Sequence, residues 1–313
     1  MNTRRLVADV GGTNVRFAIA DMDGRLDRVN KFPVTNFPTF PDALSAYRSD
    51  AGGLKDINAC TVAAAGPVDD DVVKLTNNDW IVDRAQLSTM LDGVPVALVN
   101  DLEAVAAALP HLTSEDLTTL GAPAPGRPER RTMLAVNVGT GFGAASAILR
   151  DGCWYTCPSE AGHMTLGYTT FGRLDATDAV PANASVESVL SGRGLAQLHE
   201  RVAGNRHTAH AQRTSSVFAE ASRDDDAART VKLFTAILGR VAGDLALATC
   251  AWGGVYFSGS VATAWSAVAD ISQFRAEFTR KGPMHARMQQ VPAAVIRREN
   301  AALFGLAMIP LPR

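Results

Sequence analysis

Residues 5–21, RLVADVGGTNVRFAIAD, return in outline at 133–149, MLAVNVGTGFGAASAIL. In the first stretch Leu6, Val7, Ala8 and Val10 lead into a Gly11-Gly12-Thr13-Asn14 turn, and an apolar run from Val15 to Ala20 follows. In the second, an apolar run meets Gly139-Thr140-Gly141 and another apolar run leaves it. Two strand-like runs joined by a glycine-containing turn read as a β-hairpin. A unit repeated after roughly 130 residues is too long for a solenoid and implies a duplicated domain. A chain of 313 residues agrees, because single domains run to about 100–200 residues.

The charged residue in the first copy sharpens the reading. Asp9 sits late in an apolar strand, just before the turn, where a carboxylate is costly to bury unless it meets a cation or donors. Asn137 holds the matching place in the second copy. Glycine backbone N–H groups and the Thr13 hydroxyl suit phosphate oxygens. Two such turns facing each other across a cleft would clamp a nucleoside triphosphate. Neither has the G-x-x-x-x-G-K-[ST] spacing of a Walker loop or the G-x-G-x-x-G of a dinucleotide site.

Composition narrows the class further. With 47% hydrophobic and 20% charged residues, the chain is globular rather than disordered. A net charge of −2 gives no general attraction to nucleic acid or to a membrane surface. No apolar run approaches the roughly 18 residues of a membrane span, and no signal-peptide core opens the chain, so a cytoplasmic protein is expected. Four cysteines are too few to staple a chain of this size. Cys60 and Cys250 lie in apolar surroundings and read as buried thiols. Cys153 and Cys157 have a C-x₃-C spacing that no second pair completes, so no structural zinc is expected.

The rest of the chain reads as an α/β alternation. Residues 29–35 extend the first hairpin to three strands, and 39–50 form a helix. A strand begins at 57, turns at Gly66-Pro67, and continues toward Thr76, Asn77 and Trp80; Asp83 caps a short helix through Met90. A strand from Val94 ends in Asn100-Asp101, and a helix starts immediately and runs to Leu109. Polar residues at the carboxyl end of such a strand lie where α/β proteins bind ligands, although Asp101 also has a bland reading as the helix N-cap. Residues 121–131 resemble a linker. Glu160 and His163 flank a flexible Ala-Gly in a polar island that reads as a binding loop. The stretch 184–203, carrying Glu187, is helical at both ends with an interrupting Ser191-Gly192-Arg193-Gly194. A long helix covers 228–250, a strand ends at Gly259-Ser260 before a helix from about Thr263, and a last strand lies near 291–297. A buried helix from Asn300 to about Met308 closes the chain.

Taken together, ADVGGTNVRFAIAD, TNNDW, LVNDLEAVA, NVGTGFGAA, EAGHMTLG, ESVLSGRGL and GGVYFSGSVA stand in the order seen in the bacterial glucokinases. The resemblance runs from residue 5 to about 308. It implies two RNase H-like α/β domains of the actin/hexokinase-like superfamily with a cleft between them: 1–110 plus 298–313 as the smaller, 111–297 as the larger. It implies ATP-dependent phosphorylation of D-glucose to glucose 6-phosphate, with ATP and Mg²⁺ as cofactors, and a homodimer. By resemblance Asp9, Gly11, Gly12, Thr13 and Asn14 form the first phosphate loop, with Asp9 holding Mg²⁺ through water. Gly139, Thr140 and Gly141 form the second loop, and Gly259 the adenosine-contacting turn. Asn100, Asp101, Glu160, His163 and Glu187 match the sugar-binding set, with Asn77 beside them and Asp101 as catalytic base. Carboxylates, an amide and an imidazole can satisfy the hydroxyls of a sugar and reject analogues that lack one.

Three departures stand out. Ser260 occupies a place where the family usually has a second glycine. The segment between His163 and Glu187 offers no anchor for matching. The cysteine-rich zinc motif of the related kinase–repressor family is missing, as is an N-terminal DNA-binding extension, and both point to the glucokinase branch. A kinase for another hexose (fructose, mannose or an amino sugar) and a non-catalytic ATP- or sugar-binding regulator remain the alternatives.

Overall fold

The computed structural model describes residues 4–66, 71–75, 79–121, 131–167, 170–171, 174–175, 179–204 and 214–310. Asn77 and most of the linker-like 121–131 stretch lie outside them. The chain divides into two compact units, one of Met1–His111, Trp154–Thr156 and Arg298–Arg313, the other of Leu112–Cys153 and Cys157–Arg297.

In the first unit, β1 (Arg4–Val10), β2 (Asn14–Ala20) and β3 (Leu26–Pro33) form an antiparallel meander. The chain then crosses through α1 (Phe40–Asp50) to β4 (Ile57–Ala64), which lies parallel to β1. A small antiparallel pair, β5 (Val72–Lys74) and β6 (Ile81–Asp83), precedes α2 (Arg84–Met90). Asp83 caps α2 by accepting the Gln86 N–H at 2.9 Å. Next comes β7 (Val96–Asn100), parallel to β4, and it runs straight into α3 (Asp101–Ala108). The sheet order is β3-β2-β1-β4-β7.

Both faces of this sheet are buried, which is why β1 and β4 read as nearly continuous apolar runs. Leu6, Ala8 and Val10 pack with Phe40, Leu44 and Tyr47 of α1 in one core. Val7 belongs to the opposite core, with Ala104 and Ala107 of α3 and with Leu303 and Leu306 of the closing helix, Ala301–Met308. Side chains alternate along a strand, so Asp9 shares the face of Val7. The closing helix meets α3 at Gly305, where a Cβ would overlap the Ala104 carbonyl oxygen.

The second unit repeats the plan. It contains β8 (Leu117–Thr119), β9 (Thr132–Val138), β10 (Phe142–Arg150) and β11 (Cys153–Ser159), then the short pair β12 (Thr170–Phe171) and β13 (Leu174–Asp175). Helices α4 (Gly192–Ala203), α5 (Thr214–Glu220) and α6 (Asp225–Ala248) lead to β14 (Val255–Ser258). Then follow α7 (Ser260–Ser266), α8 (Ile271–Thr279), α9 (His285–Gln289) and β15 (Ala293–Ile296). Its sheet order is β11-β10-β9-β14-β15-β8. The β9–β10 hairpin is antiparallel, whereas β14 lies parallel to β9 and β15 to β14. Apart from β8, this is the strand order of the first sheet, so the duplicated hairpin belongs to a duplicated fold.

Inside the second unit α6 and α8 pack at close range, because Gly239 and Gly243 leave room for the Phe274 and Phe278 carbonyls. Glu277 on α8 is 5% exposed and is paired with Arg240 on α6. No helix among the described residues is long and apolar enough to cross a membrane.

Two expectations need correction here. Cys250 is exposed rather than buried. The α6 helix has ended by then, and the left-handed backbone of Cys250 (φ 52°) turns its side chain outward from the apolar run around it. The Ser191–Gly194 stretch does not interrupt a helix but begins one. Ser191 is the N-cap, accepting the Gly194 N–H at 3.0 Å, and Gly194 lies so close to the Val189 carbonyl that no larger residue fits.

Candidate active site

The first unit gathers Asp9, the Gly11–Asn14 turn, Asn100 and Asp101 at the carboxyl ends of its parallel strands. Asp9 lies opposite Ala63 of β4, and Ala63 lies opposite Val99 of β7. At the usual strand spacing, Asp9 and Val99 are therefore about 10 Å apart. Gly11 N–H donates to the Asn14 carbonyl at 3.0 Å and closes the turn, while the Thr13 carbonyl accepts from Val34 N–H at 2.9 Å. Thr13 is exposed, and Gly11, Gly12 and Asn14 are half-buried.

Asp9 has a partner that sequence reading did not supply. Arg16, directly opposite on β2, donates from Nη1 to Asp9 Oδ2 at 3.0 Å. Only 16% of the Asp9 side chain is exposed, and burial raises its pKa above the usual carboxylate range, with the Arg16 charge pulling the other way. The signal was present, since the hairpin register fixes which residue faces Asp9.

At the β7–α3 junction the cap falls to Asn100, not Asp101. Asn100 Oδ1 accepts the Leu102 N–H at 2.9 Å, and Glu103 Oε2 accepts the Asn100 N–H at 3.0 Å, which completes a capping box. Asn100 Nδ2 also donates to the Gly66 carbonyl at 3.3 Å. Asp101 is thus the first helical residue, half-buried, with Oδ1 2.9 Å from the Leu102 nitrogen. Ladder pairing of Asn100 with Ala64 keeps residue 100 extended, so the helix starts one residue later.

The second unit gathers Gly139, Thr140, Gly141, Glu187 and Gly259. Gly139 N–H donates to the Gly141 carbonyl at 2.9 Å across the turn. Gly259 has φ 98°, and a side chain there would collide with the Val138 carbonyl and with Asn137 Oδ1. Its glycine is required by both backbone and space. Ser258 Oγ donates to Asn137 Oδ1 at 3.3 Å, tying the ends of β14 and β9 together. Ser260 opens α7 as an exposed residue without left-handed backbone, so serine fits there without strain.

Glu187 is half-buried and reaches the turn directly, with Oε2 accepting the Phe142 N–H at 2.9 Å. Glu160 precedes a short 3-10 turn, Ala161–His163, that ends on His163. His163 Nε2 lies 3.7 Å from Glu160 Oε2, and both side chains are more than 70% exposed. The Ala161-Gly162 pair between them is buried, and a Cβ on Gly162 would strike the Phe142 carbonyl. What reads in the sequence as flexible is held by packing. Asn77 lies outside the described residues.

Known proteins resemble the chain along nearly its whole length. A family model described as "Glucokinase" matches residues 6–311. A glucokinase of Stenotrophomonas maltophilia (strain R551-3) is 33% identical over 314 residues, covering 96% of this chain and 93% of its own. The crystal structure of glucokinase from an Antarctic psychrotroph superposes with a TM-score of 0.85 at 29% identity, covering 98% of each chain. A glucokinase from Streptomyces griseus, solved in complex with glucose and AMPPNP, shares the fold, with a TM-score of 0.64, 20% identity and 98% of each chain covered. The chain belongs to the glucokinase family, enzymes that phosphorylate sugar.

Proposed function

We propose that the chain transfers the γ-phosphoryl group of ATP to the 6-hydroxyl of D-glucose, with Asp101 as general base. The observation that carries this reading is the junction of β7 and α3. Asn100 takes the N-cap, and Asp101 follows it as the first residue of α3, half-buried at the carboxyl end of β7, where α/β proteins bind ligands. Asp101 would accept the proton of the 6-hydroxyl as that oxygen attacks the γ-phosphorus and ADP departs. Asn100, Glu160, His163 and Glu187 would orient the sugar through its other hydroxyls, which is where much of the rate enhancement in such a transfer comes from. The fold relative crystallised with glucose and AMPPNP supports a pair of ligands of this kind.

The two glycine turns would hold the phosphates through backbone N–H groups. Asp9 suits a magnesium ion carried in with the nucleotide and held through water, because its carboxylate is largely buried beside the glycine turn with Arg16 as its ion-pair partner. Among the described residues no group of three His, Cys, Asp or Glu side chains would bind a metal by itself. Phosphate oxygens and water would therefore complete the coordination, as is usual for Mg²⁺. The ion would neutralise charge on the phosphates.

The test is a coupled ADP-release assay over a panel of hexoses, on wild type and Asp101→Asn. Glucose-dependent turnover that falls by three orders of magnitude or more in the variant, with glucose binding retained, supports the assignment. Turnover with a different hexose moves the substrate, and no turnover with any sugar defeats the kinase reading for this chain.

A further inference from the structure

We propose that Glu187 is a positioning residue for the nucleotide as well as a sugar contact: its carboxylate sets the geometry of the second glycine turn. This rests on the assignment of that turn to phosphate and of Glu187 to sugar made above.

The segment containing the sugar-contact residues holds the turn from outside at three points. Gly192 N–H donates to the Gly139 carbonyl at 2.8 Å. Gly162 packs directly on the Phe142 carbonyl, with no room for a side chain. Glu187 Oε2 accepts the Phe142 N–H at 2.9 Å. Of the three, only the last is made by a side chain. Glu187 is in turn fixed to the same segment, since its own N–H donates to the Gly162 carbonyl at 2.9 Å. The fit at the turn is tight, with Glu187 Oε2 2.7 Å from where a Gly141 Cβ would stand.

Phe142 is the first residue of β10 and lies opposite Val138, the last residue of β9. Its N–H is the first amide after Gly141. Without Glu187 as acceptor, the Phe142 N–H and the loop amides before it would be held only by the Gly192 contact, the Gly139–Gly141 bond and the strand pairing, and would lose part of their common direction. A charge-assisted acceptor holds such an amide more firmly than a neutral one. One carboxylate therefore serves two ligands. A sugar hydroxyl that orders Glu187 also orders the phosphate turn, and by reciprocity the nucleotide affects the sugar.

Two variants separate reach from charge. Glu187→Gln keeps an acceptor oxygen at the same reach, and Glu187→Asp keeps the charge but withdraws the oxygen by one methylene. Binding of AMPPNP with Mg²⁺ is measured by calorimetry on the full chain with no sugar present, alongside the KM for glucose. The expected result is a tenfold or greater loss of AMPPNP affinity in Glu187→Asp and a loss of threefold or less in Glu187→Gln, while the glucose KM rises in both. Amide exchange at Phe142 should be protected in wild type and Glu187→Gln and fast in Glu187→Asp. Unchanged AMPPNP affinity in Glu187→Asp overturns the proposal and leaves Glu187 a sugar contact only. Equal losses in both variants overturn it too, because the acceptor at that reach would then not matter. Wild type that binds AMPPNP but turns over no hexose defeats the kinase reading alone, and the comparison of the variants still stands.

Discussion

Asp9 and Arg16 face each other across the first hairpin, Oδ2 to Nη1 at 3.0 Å, and the pair does not fully offset the burial of the carboxylate. Arg16 is 37% exposed while Asp9 is 16% exposed, so water screens the cation more than the anion. The acid therefore stands at a net disadvantage in its charged form.

A pH-dependent stability follows. Because the folded-state pKa of Asp9 lies above its ordinary value, the folded state binds this proton more readily than the unfolded state. Its contribution to stability is fully present below the ordinary carboxylate pKa and is lost as pH rises through the folded value. Asp9→Asn removes that loss. The variant should melt at or above the wild-type temperature at pH 7.5 without nucleotide, with a smaller advantage near pH 4, while turnover falls by at least two orders of magnitude. Differential scanning calorimetry at both pH values decides it, and a variant that melts lower than wild type at pH 7.5 contradicts the account.

Much of this site was legible because its determinants are local. Alternation plus a glycine turn makes a hairpin, and its recurrence with Asn137 in the place of Asp9 announces the duplication that the two sheets display. The alternative reading of Asp101 as N-cap falls one residue late, because Asn and Asp cap helices about equally well. What separates Asn100 from Asp101 is the pairing of Asn100 with Ala64, a contact 36 positions away in sequence that no local pattern reveals. The link between Glu187 and Phe142 escaped for the same reason. Cys250 misled because its neighbours are apolar, whereas its exposure is decided by where α6 stops.

Gly305 connects the closing helix to the candidate base. Its missing side chain lets the helix lie against the Ala104 carbonyl of α3, the helix that begins with Asp101. Gly305→Ala forces the two helices apart, and such overpacking costs about 1–3 kcal/mol. Urea denaturation should show that loss, and kcat should fall in the folded variant because α3 shifts. A variant as stable and active as wild type would mean the helices separate at no cost.

The Arg240–Glu277 pair gives a prediction far from the chemistry in sequence. Glu277 also meets Arg280 at 3.1 Å and is 5% exposed, while Arg240 is 16% exposed. Removing one member of a buried pair leaves the other charge uncompensated, at a cost of roughly 3–5 kcal/mol. Glu277→Gln should show a loss toward the lower end of that range, since the amide can still accept a hydrogen bond, and Glu277→Leu a larger one. KM for both substrates should stay at wild-type values at temperatures where the variants are folded. Equal stability of wild type and Glu277→Leu by chemical denaturation would count against a structural role for the pair.

The cysteines supply a test of the burial pattern itself. Cys60 lies on β4 in the core of the first unit, and burial pushes its thiol pKa up to about 12. Cys153, Cys157 and Cys250 are exposed. The thiolate is the reactive form, so at pH 8 a maleimide should modify the three exposed residues in the native protein within minutes. Cys60 should react only in denaturant, and its labelling rate under native conditions should follow global opening of the first unit. Peptide mapping by mass spectrometry reads each site separately. Rapid modification of Cys60 in the folded protein would show that β4 is reached by solvent, and the placement of the neighbouring Asp9 strand would have to be reconsidered with it.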